Sequence, residues 1–181
     1  MSDFEEFPKI ARLSRRCVIT EKIDGTNAQV FIHEGAGPAD IRAGSRNRWL
    51  TAEQDNFGFA KWVEEHAGEL IELGPGRHFG EWWGSGIQRK YGLGEKRFSL
   101  FNTARWGTER PSCCHVVPVL YEGLFHDEAV EDALRKLAGF GSFAAPGFMD
   151  PEGVVIWHEA ARVLFKKTLV KDEEPKGKKA A

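Results

Sequence analysis

The chain has no run of apolar residues long enough to cross a bilayer as a helix and no hydrophobic leader, so neither a membrane-spanning nor an exported product is expected. Its three cysteines, Cys17 and the adjacent Cys113 and Cys114, do not make a disulfide framework. These absences point to a reducing, cytoplasmic setting. No glycine-rich P-loop and no dinucleotide-binding fingerprint is present, so any phosphate must be held by side chains. A formal net charge of −2 leaves no global basic field for nucleic acid, and polyanion binding must come from local patches. There is no internal repeat. Cys113-Cys114-His115 lacks a second ligand pair at zinc-site spacing and reads as plain loop.

What is there is a series of short apolar segments broken by turn residues, in a chain of 181 residues that fits one domain. Cys17–Thr20 and Ala28–Ile32 read as β-strands, and Asp24-Gly25 between them reads as a hairpin turn with Lys22 at the bend. The alternation over Ile41–Trp49 suggests a strand with arginines on one face. Thr51-Ala52-Glu53-Gln54 has the form of a capping box, and apolar residues from Phe59 to Ile71 then recur at helical spacing up to Gly74-Pro75-Gly76. His78–Trp83, Arg97–Asn102 and Val116–Glu122 read as further strands. A second helix is expected from Asp127 to a stop at Gly139, and a last hairpin from Glu152–Trp157 and Arg162–Lys167. Many short strands with few helices predict an α+β domain of antiparallel sheets with a few flanking helices over residues 1–170, followed by a charged disordered tail over 171–181.

The polar residues that interrupt apolar strands are the informative ones: Lys22, Arg46, Glu81, Glu152, Lys166 and Lys167. Two carboxylates among four cations suit a metal-bound polyphosphate, because Mg²⁺ takes few carboxylates plus phosphate oxygens and cations neutralise charge developing on phosphorus. A lysine amine attacks only when unprotonated, and model lysines titrate at about 10.4. A metal ion and neighbouring cations such as Lys166 and Lys167 would favour the neutral nucleophile at Lys22. In the glycine-rich stretch after Glu81, Arg89, Lys90 and Tyr91 suit contacts to a nucleic-acid backbone and base.

These residues carry a family resemblance that runs in order along almost the whole chain. Lys22-Ile23-Asp24-Gly25 with Asn27 resembles the nucleophile motif of the ATP-dependent RNA ligases, in the superfamily that includes DNA ligases and mRNA capping enzymes. Ser45-Arg46 resembles the arginine motif that follows, and Phe79-Gly80-Glu81 the third motif. Phe98-Ser99-Leu100-Phe101 resembles the strand whose aromatic stacks on adenine. Glu152-Gly153-Val154-Val155 resembles the fourth motif and Phe165-Lys166-Lys167 the fifth. Gly84–Tyr91 is more similar to RNA ligases than to DNA ligases.

The resemblance implies a ligase-type adenylation domain that uses ATP and Mg²⁺ or Mn²⁺. It implies attack of Lys22 on ATP, transfer of AMP to an RNA 5′-phosphate, and sealing by a 3′-OH. Glu81 would hold the ribose or a metal-bound water, and Glu152 the catalytic metal. Lys166 and Lys167 would meet the α-phosphate, Arg46 the ribose or the 5′-phosphate strand, and Phe101 the adenine face. Glu21 would read the adenine edge, and Asn27 would hold ribose or a hydrated metal. Two departures stand out: the fifth motif usually has a residue between its two lysines, and Asn102 replaces an acidic residue. The sequence stops soon after that motif, so no appended OB domain is expected, and a separate protein would serve in its place. The alternatives are a DNA ligase, another lysyl-nucleotidyltransferase, or a non-catalytic nucleotide- or RNA-binding module.

Overall fold

The computed structural model describes residues 3–173. Two sheets form. The first has the order β7-β1-β8-β9, with β1 at Arg16–Lys22, β7 at Val119–Leu124, β8 at Gly153–His158 and β9 at Val163–Thr168, all antiparallel. The second has the order β3-β2-β4-β5-β6, with β2 at Thr26–Ile32, β3 at Arg42–Ser45, β4 at Gly76–Gly84, β5 at Lys96–Leu100 and β6 at Cys114–Val116. Only the β5–β6 pair of this sheet is parallel. The α+β class and the antiparallel sheets are therefore as expected.

Each sheet buries one face against helices, as the two-residue period of its strands requires. Ala28, Val30, Ile32, Trp82, Phe98 and Leu100 of the second sheet pack on Phe59, Ala60, Val63 and Leu70 of α1 (Phe59–Glu65) and α2 (Ala67–Leu70). Cys17, Ile19, Val154 and Ile156 of the first sheet pack on Ala129, Val130, Ala133, Leu134 and Leu137 of α3 (Asp127–Phe140). Among the described residues no helix covers the other two faces. Where the sheets meet, Ile23, Trp83, Tyr91, Val117 and Ala145 form a third apolar cluster.

The chain passes between the sheets twice, and both passages correct the sequence reading. Asp24-Gly25 is not a hairpin turn: β1 belongs to one sheet and β2 to the other, so Lys22 ends a strand where the chain crosses over. The single strand expected over Val116–Glu122 is two. β6 stops at Val116, and β7 begins at Val119 in the other sheet, with Pro118, which lacks an N–H, donating nothing but accepting from Glu21 N–H at 2.9 Å. Cys114 begins β6 rather than lying in a plain loop.

The expected long helix is also replaced. Gln54 N–H closes a tight turn onto Thr51, while the Asp55 carboxylate accepts from the N–H groups of Ala60 and Lys61 and starts α1 only at Phe59. The strand expected through Trp49 ends at Ser45, whose N–H donates to Arg48 O in a turn. At α3 the side chain of His126, not Asp127, caps the N-terminus, and the helix runs past Gly139 to end at Gly141, in the left-handed region at φ 78°. The expected tail falls, from residue 174 on, outside the described residues.

Candidate active site

Lys22, the last residue of β1, is opposite Gly153 at the start of β8, so the preceding Glu152 reaches the same point. Lys22 Nζ lies 2.6 Å from Glu152 Oε2, with 19% of the lysine side chain and 2% of the glutamate side chain exposed. Gly153 makes this approach possible: its φ is 153°, and a Cβ there would sit 2.2 Å from Lys167 O.

Glu81 comes from the other sheet. It pairs in register with Asn27, and it accepts from Gly25 N–H at 2.9 Å and from Asn27 Nδ2 at 3.1 Å. Burial pushes the Glu81 carboxyl up to about 7 against the opposing pull of the Gly25 N–H, the Lys22 charge and the Asn27 amide. The crossover thus lies against β4. A Cβ on Gly25 would be 2.4 Å from Trp82 O and 2.7 Å from Trp83 Cβ, which is the physical need for glycine there.

The glycine-rich loop after β4 serves this site through contacts that the sequence did not reveal. Tyr91 is buried, and its hydroxyl accepts from Asp24 N–H at 2.7 Å, so it faces the protein and not a base. Arg89 Nε donates to Asp24 Oδ2 at 3.1 Å, and its Nη1 lies 2.6 Å from Asp150 Oδ2. One guanidinium therefore ties the turn after Lys22 to the segment before Glu152. Lys90 alone of the three remains exposed.

Glu21 is turned away from this cluster. It is 1% exposed, and its oxygens accept from Ser142 Oγ at 2.6 Å, Phe143 N–H at 2.8 Å and Ala144 N–H at 2.9 Å. Burial raises its pKa against these three donors. Instead of an exposed adenine-reading carboxylate, the structure has an anchor that fixes the end of β1 to the loop after α3. The two lysines of β9 separate in the same way. Lys167 is opposite Val154, which faces α3, and its Nζ reaches Glu131 Oε1 of that helix at 3.1 Å. Lys166 is opposite Val155, itself opposite Thr20, so it shares the uncovered face with Lys22. Thr168 has the same parity as Lys166 and takes the position where the fifth motif usually carries its second lysine.

On the second sheet, Phe101 follows β5 and stands beside Phe79, to whose carbonyl its N–H donates at 3.0 Å. Both rings are about half exposed on the face that carries Glu81. Arg46 is exposed in the turn after β3, one step beyond the Ala28–Ser45 pair and so at the Asn27 end of β2. Lys22, Asp24, Gly25, Asn27, Glu81 and Glu152 are thus brought together; Arg46, Phe101 and Lys166 flank them, and Glu21 and Lys167 point elsewhere.

A family model for RNA ligase matches residues 15–171. The chain belongs to the RNA ligase family. The match begins just before β1 and ends just after β9, so it spans both sheets and every residue of the cluster. Among solved structures, Naegleria gruberi RNA ligase is similar in several mutant forms. One apo form has a TM-score of 0.58 at 20% identity, covering 85% of this chain and 49% of that chain. One with ATP and Mn has a TM-score of 0.58 at 21% identity, covering 86% and 50%. Another, with AMP and Mn, has a TM-score of 0.56 at 20% identity, covering 85% and 49%. The likeness establishes a shared fold, and the chain spans about half the length of these RNA ligases. No curated protein sequence matches it.

Proposed function

We propose that this chain joins RNA ends with ATP through a covalent Lys22–AMP. The observation that carries the reading is the buried approach of Lys22 Nζ to Glu152 Oε2 at 2.6 Å, with Glu81 of the second sheet close enough for the lysine charge to act on it. In the first step the unprotonated Lys22 nitrogen attacks the α-phosphorus of ATP. A P–N bond forms as the nitrogen loses a proton to solvent, the bond from that phosphorus to the bridging oxygen breaks, and pyrophosphate leaves with the electron pair. In the second step an oxygen of an RNA 5′-phosphate bonds to the AMP phosphorus as the P–N bond breaks, and the lysine nitrogen leaves with a proton taken from solvent, giving a 5′-adenylated end. In the third, an RNA 3′-OH attacks that 5′-phosphate, loses its proton and releases AMP.

Lys166, on the uncovered face beside Lys22, would oppose charge developing on the α-phosphate. Phe101 offers flat apolar surface to adenine, and Asn27 and Glu81 offer hydrogen-bonding groups to ribose. Arg46 at the rim suits a phosphate. Among the described residues no group of three or more His, Cys, Asp or Glu side chains makes a metal cage. Glu152 and Glu81 fit instead an ion that arrives with the triphosphate and takes most of its ligands from phosphate and water, as Mg²⁺ does. Such an ion would neutralise phosphate charge and favour departure of pyrophosphate.

The test is incubation with α-³²P-labelled ATP and Mg²⁺ or Mn²⁺, followed by denaturing electrophoresis. Wild type is expected to retain label and Lys22→Ala to retain none. Labelled enzyme is then offered 5′-phosphorylated RNA and DNA, as single strands and as nicked duplexes, to find the acceptor. If wild type takes no label, and mass spectrometry excludes prior adenylation, the proposal fails.

A further inference from the structure

The uncovered face of the second sheet carries a cluster that the adenylation chemistry does not use. On this face Phe31 of β2 lies between Arg42 of β3 and Arg77 of β4, all in one register row. The Arg77 guanidinium carbon sits 4.6 Å from the Phe31 ring centre and 5.2 Å from that of Trp49, and the Arg42 guanidinium carbon sits 4.1 Å over Trp49. Arg77 Nη1 donates to Gln29 Oε1 at 2.9 Å, and Gln29 Nε2 donates to Ser45 O at 3.2 Å, so a side-chain amide fixes the arginine to the strands beside it. Gly44 leaves room for that amide, since a Cβ there would lie 2.8 Å from Gln29 Cγ. Among the described residues neither guanidinium is paired with a carboxylate, and both arginines are exposed.

Both guanidinium groups thus lie over aromatic rings, and that of Arg77 is also tied by a side-chain amide. Stacking holds a guanidinium flat while leaving its N–H edge free, an arrangement preorganised for phosphate and for a base laid on the cation. The next row towards the active site is Gln29, Phe79 and Phe101, and the one after it holds Asn27 and Glu81. A strip with cations and an aromatic in its outer row and two aromatics in the next thus runs about two register rows, on the order of 14 Å, from the site to Arg77. The geometry points to this strip as the seat of a single-stranded RNA segment entering the active site. Its phosphates lie against Arg42 and Arg77 and its bases on Phe79 and the guanidinium planes. The assignment rests on the RNA-joining reading and adds to it where the strand lies. A single strand is favoured because unstacked bases expose faces that such a strip can bind, whereas a duplex keeps them stacked.

The experiment measures fluorescence anisotropy of a 5′-phosphorylated single-stranded RNA of about 12 nucleotides, within the site size of such platforms, over a range of salt concentrations, beside the Lys22 labelling assay. Arg42→Gln/Arg77→Gln is expected to weaken binding about tenfold or more and to make the log–log salt slope shallower by about 1.4, for two lost phosphate contacts on a single strand. Arg42→Lys/Arg77→Lys is expected to keep the slope and still bind more weakly, because ammonium groups do not stack. Phe79→Ala, at a ring 53% exposed and so tolerable to the fold, is expected to lose about fivefold or more. Arg135→Ala on α3 serves as the control for simple charge loss and is expected to bind as wild type does. Unchanged binding and slope in the glutamine pair and in Phe79→Ala would overturn the assignment, as would tighter binding of a blunt duplex or no RNA binding by wild type. Absence of Lys22 label in wild type strikes the RNA-joining reading instead, and binding then judges the strip separately.

Discussion

The Lys22–Glu152 pair makes a quantitative claim about stability as well as chemistry. At 2.6 Å, two unit charges in a medium of effective dielectric about 20 attract by about 6 kcal/mol, and desolvation cancels most of this. A net coupling on the order of 2 kcal/mol remains, the value of a charge-assisted hydrogen bond. Replacing Lys22 with Met removes the cation and leaves a carboxylate that is 2% exposed, at a cost of about 3 kcal/mol. In a domain of this size one kcal/mol shifts Tm by about 2–4 °C, so the variant is expected to melt about 6–12 °C lower. Adding Glu152→Gln removes the buried charge and is expected to return about 4–8 °C. Thermal and denaturant unfolding of wild type, both single variants and the double variant at neutral pH close the cycle, in which any other contact of Glu152 is common to both arms. If the double variant loses the sum of the two single losses within about 0.5 kcal/mol, the pair is uncoupled and the geometry at the centre of the proposed site is refuted.

Three further outcomes follow from the same structure. The Glu81 carboxyl binds its proton at about 7 when folded against an ordinary value of 4.5, so between those pH values the folded state holds more protons than the unfolded state. Stability must therefore fall as pH rises through this window, by up to about 3 kcal/mol relative to Glu81→Gln, and a pH-independent difference between the two proteins in denaturant titrations would contradict the burial argument. Gly25→Ala forces a Cβ to within 2.4 Å of Trp82 O and is expected to cost about 1–3 kcal/mol and to abolish Lys22 labelling, while Gly107→Ala, with nothing within 4 Å, is expected to cost less than about 0.5 kcal/mol. Lys166→Ala is expected to slow Lys22 labelling by about a hundredfold, and Lys167→Ala by less than about threefold, because Lys167 is occupied by Glu131; equal effects in rapid-quench assays would show that the β9 parity does not sort the two lysines.

Local pattern carried far in this chain because strands have a period of two and short apolar segments report it directly. β1, β2, β4, β5 and the β8–β9 hairpin were legible from alternation. Local pattern failed where a distant group decided the outcome. The Thr51–Gln54 segment has the composition of a helix start, but the Asp55 carboxylate reaches forward to Ala60 and Lys61 and starts the helix later. Val116–Glu122 looks like one strand, yet it must serve two sheets, and Pro118 is where it changes. Glu21 reads by resemblance as a contact to the adenine edge, but the packing of α3 on the Cys17 and Ile19 face puts it inside, where Ser142, Phe143 and Ala144 supply the donors that a buried carboxylate requires.

The sequence alone determined which residue types are available and the local faces they occupy: a lysine ending an apolar strand, carboxylates breaking two others, and two adjacent lysines of opposite parity. It also held the ordered motifs by which the family is recognised. Tertiary structure alone decided that β1 and β2 part into different sheets at Asp24-Gly25, which sets Glu81 of one sheet beside Lys22 of the other. It decided too which of Lys166 and Lys167 shares the uncovered face with Lys22, because only the packing of α3 says which side of β9 is inside. The physical reason is that alternation assigns residues to two faces without saying which is buried. That choice is made by apolar surface meeting apolar surface, among residues far apart in the chain.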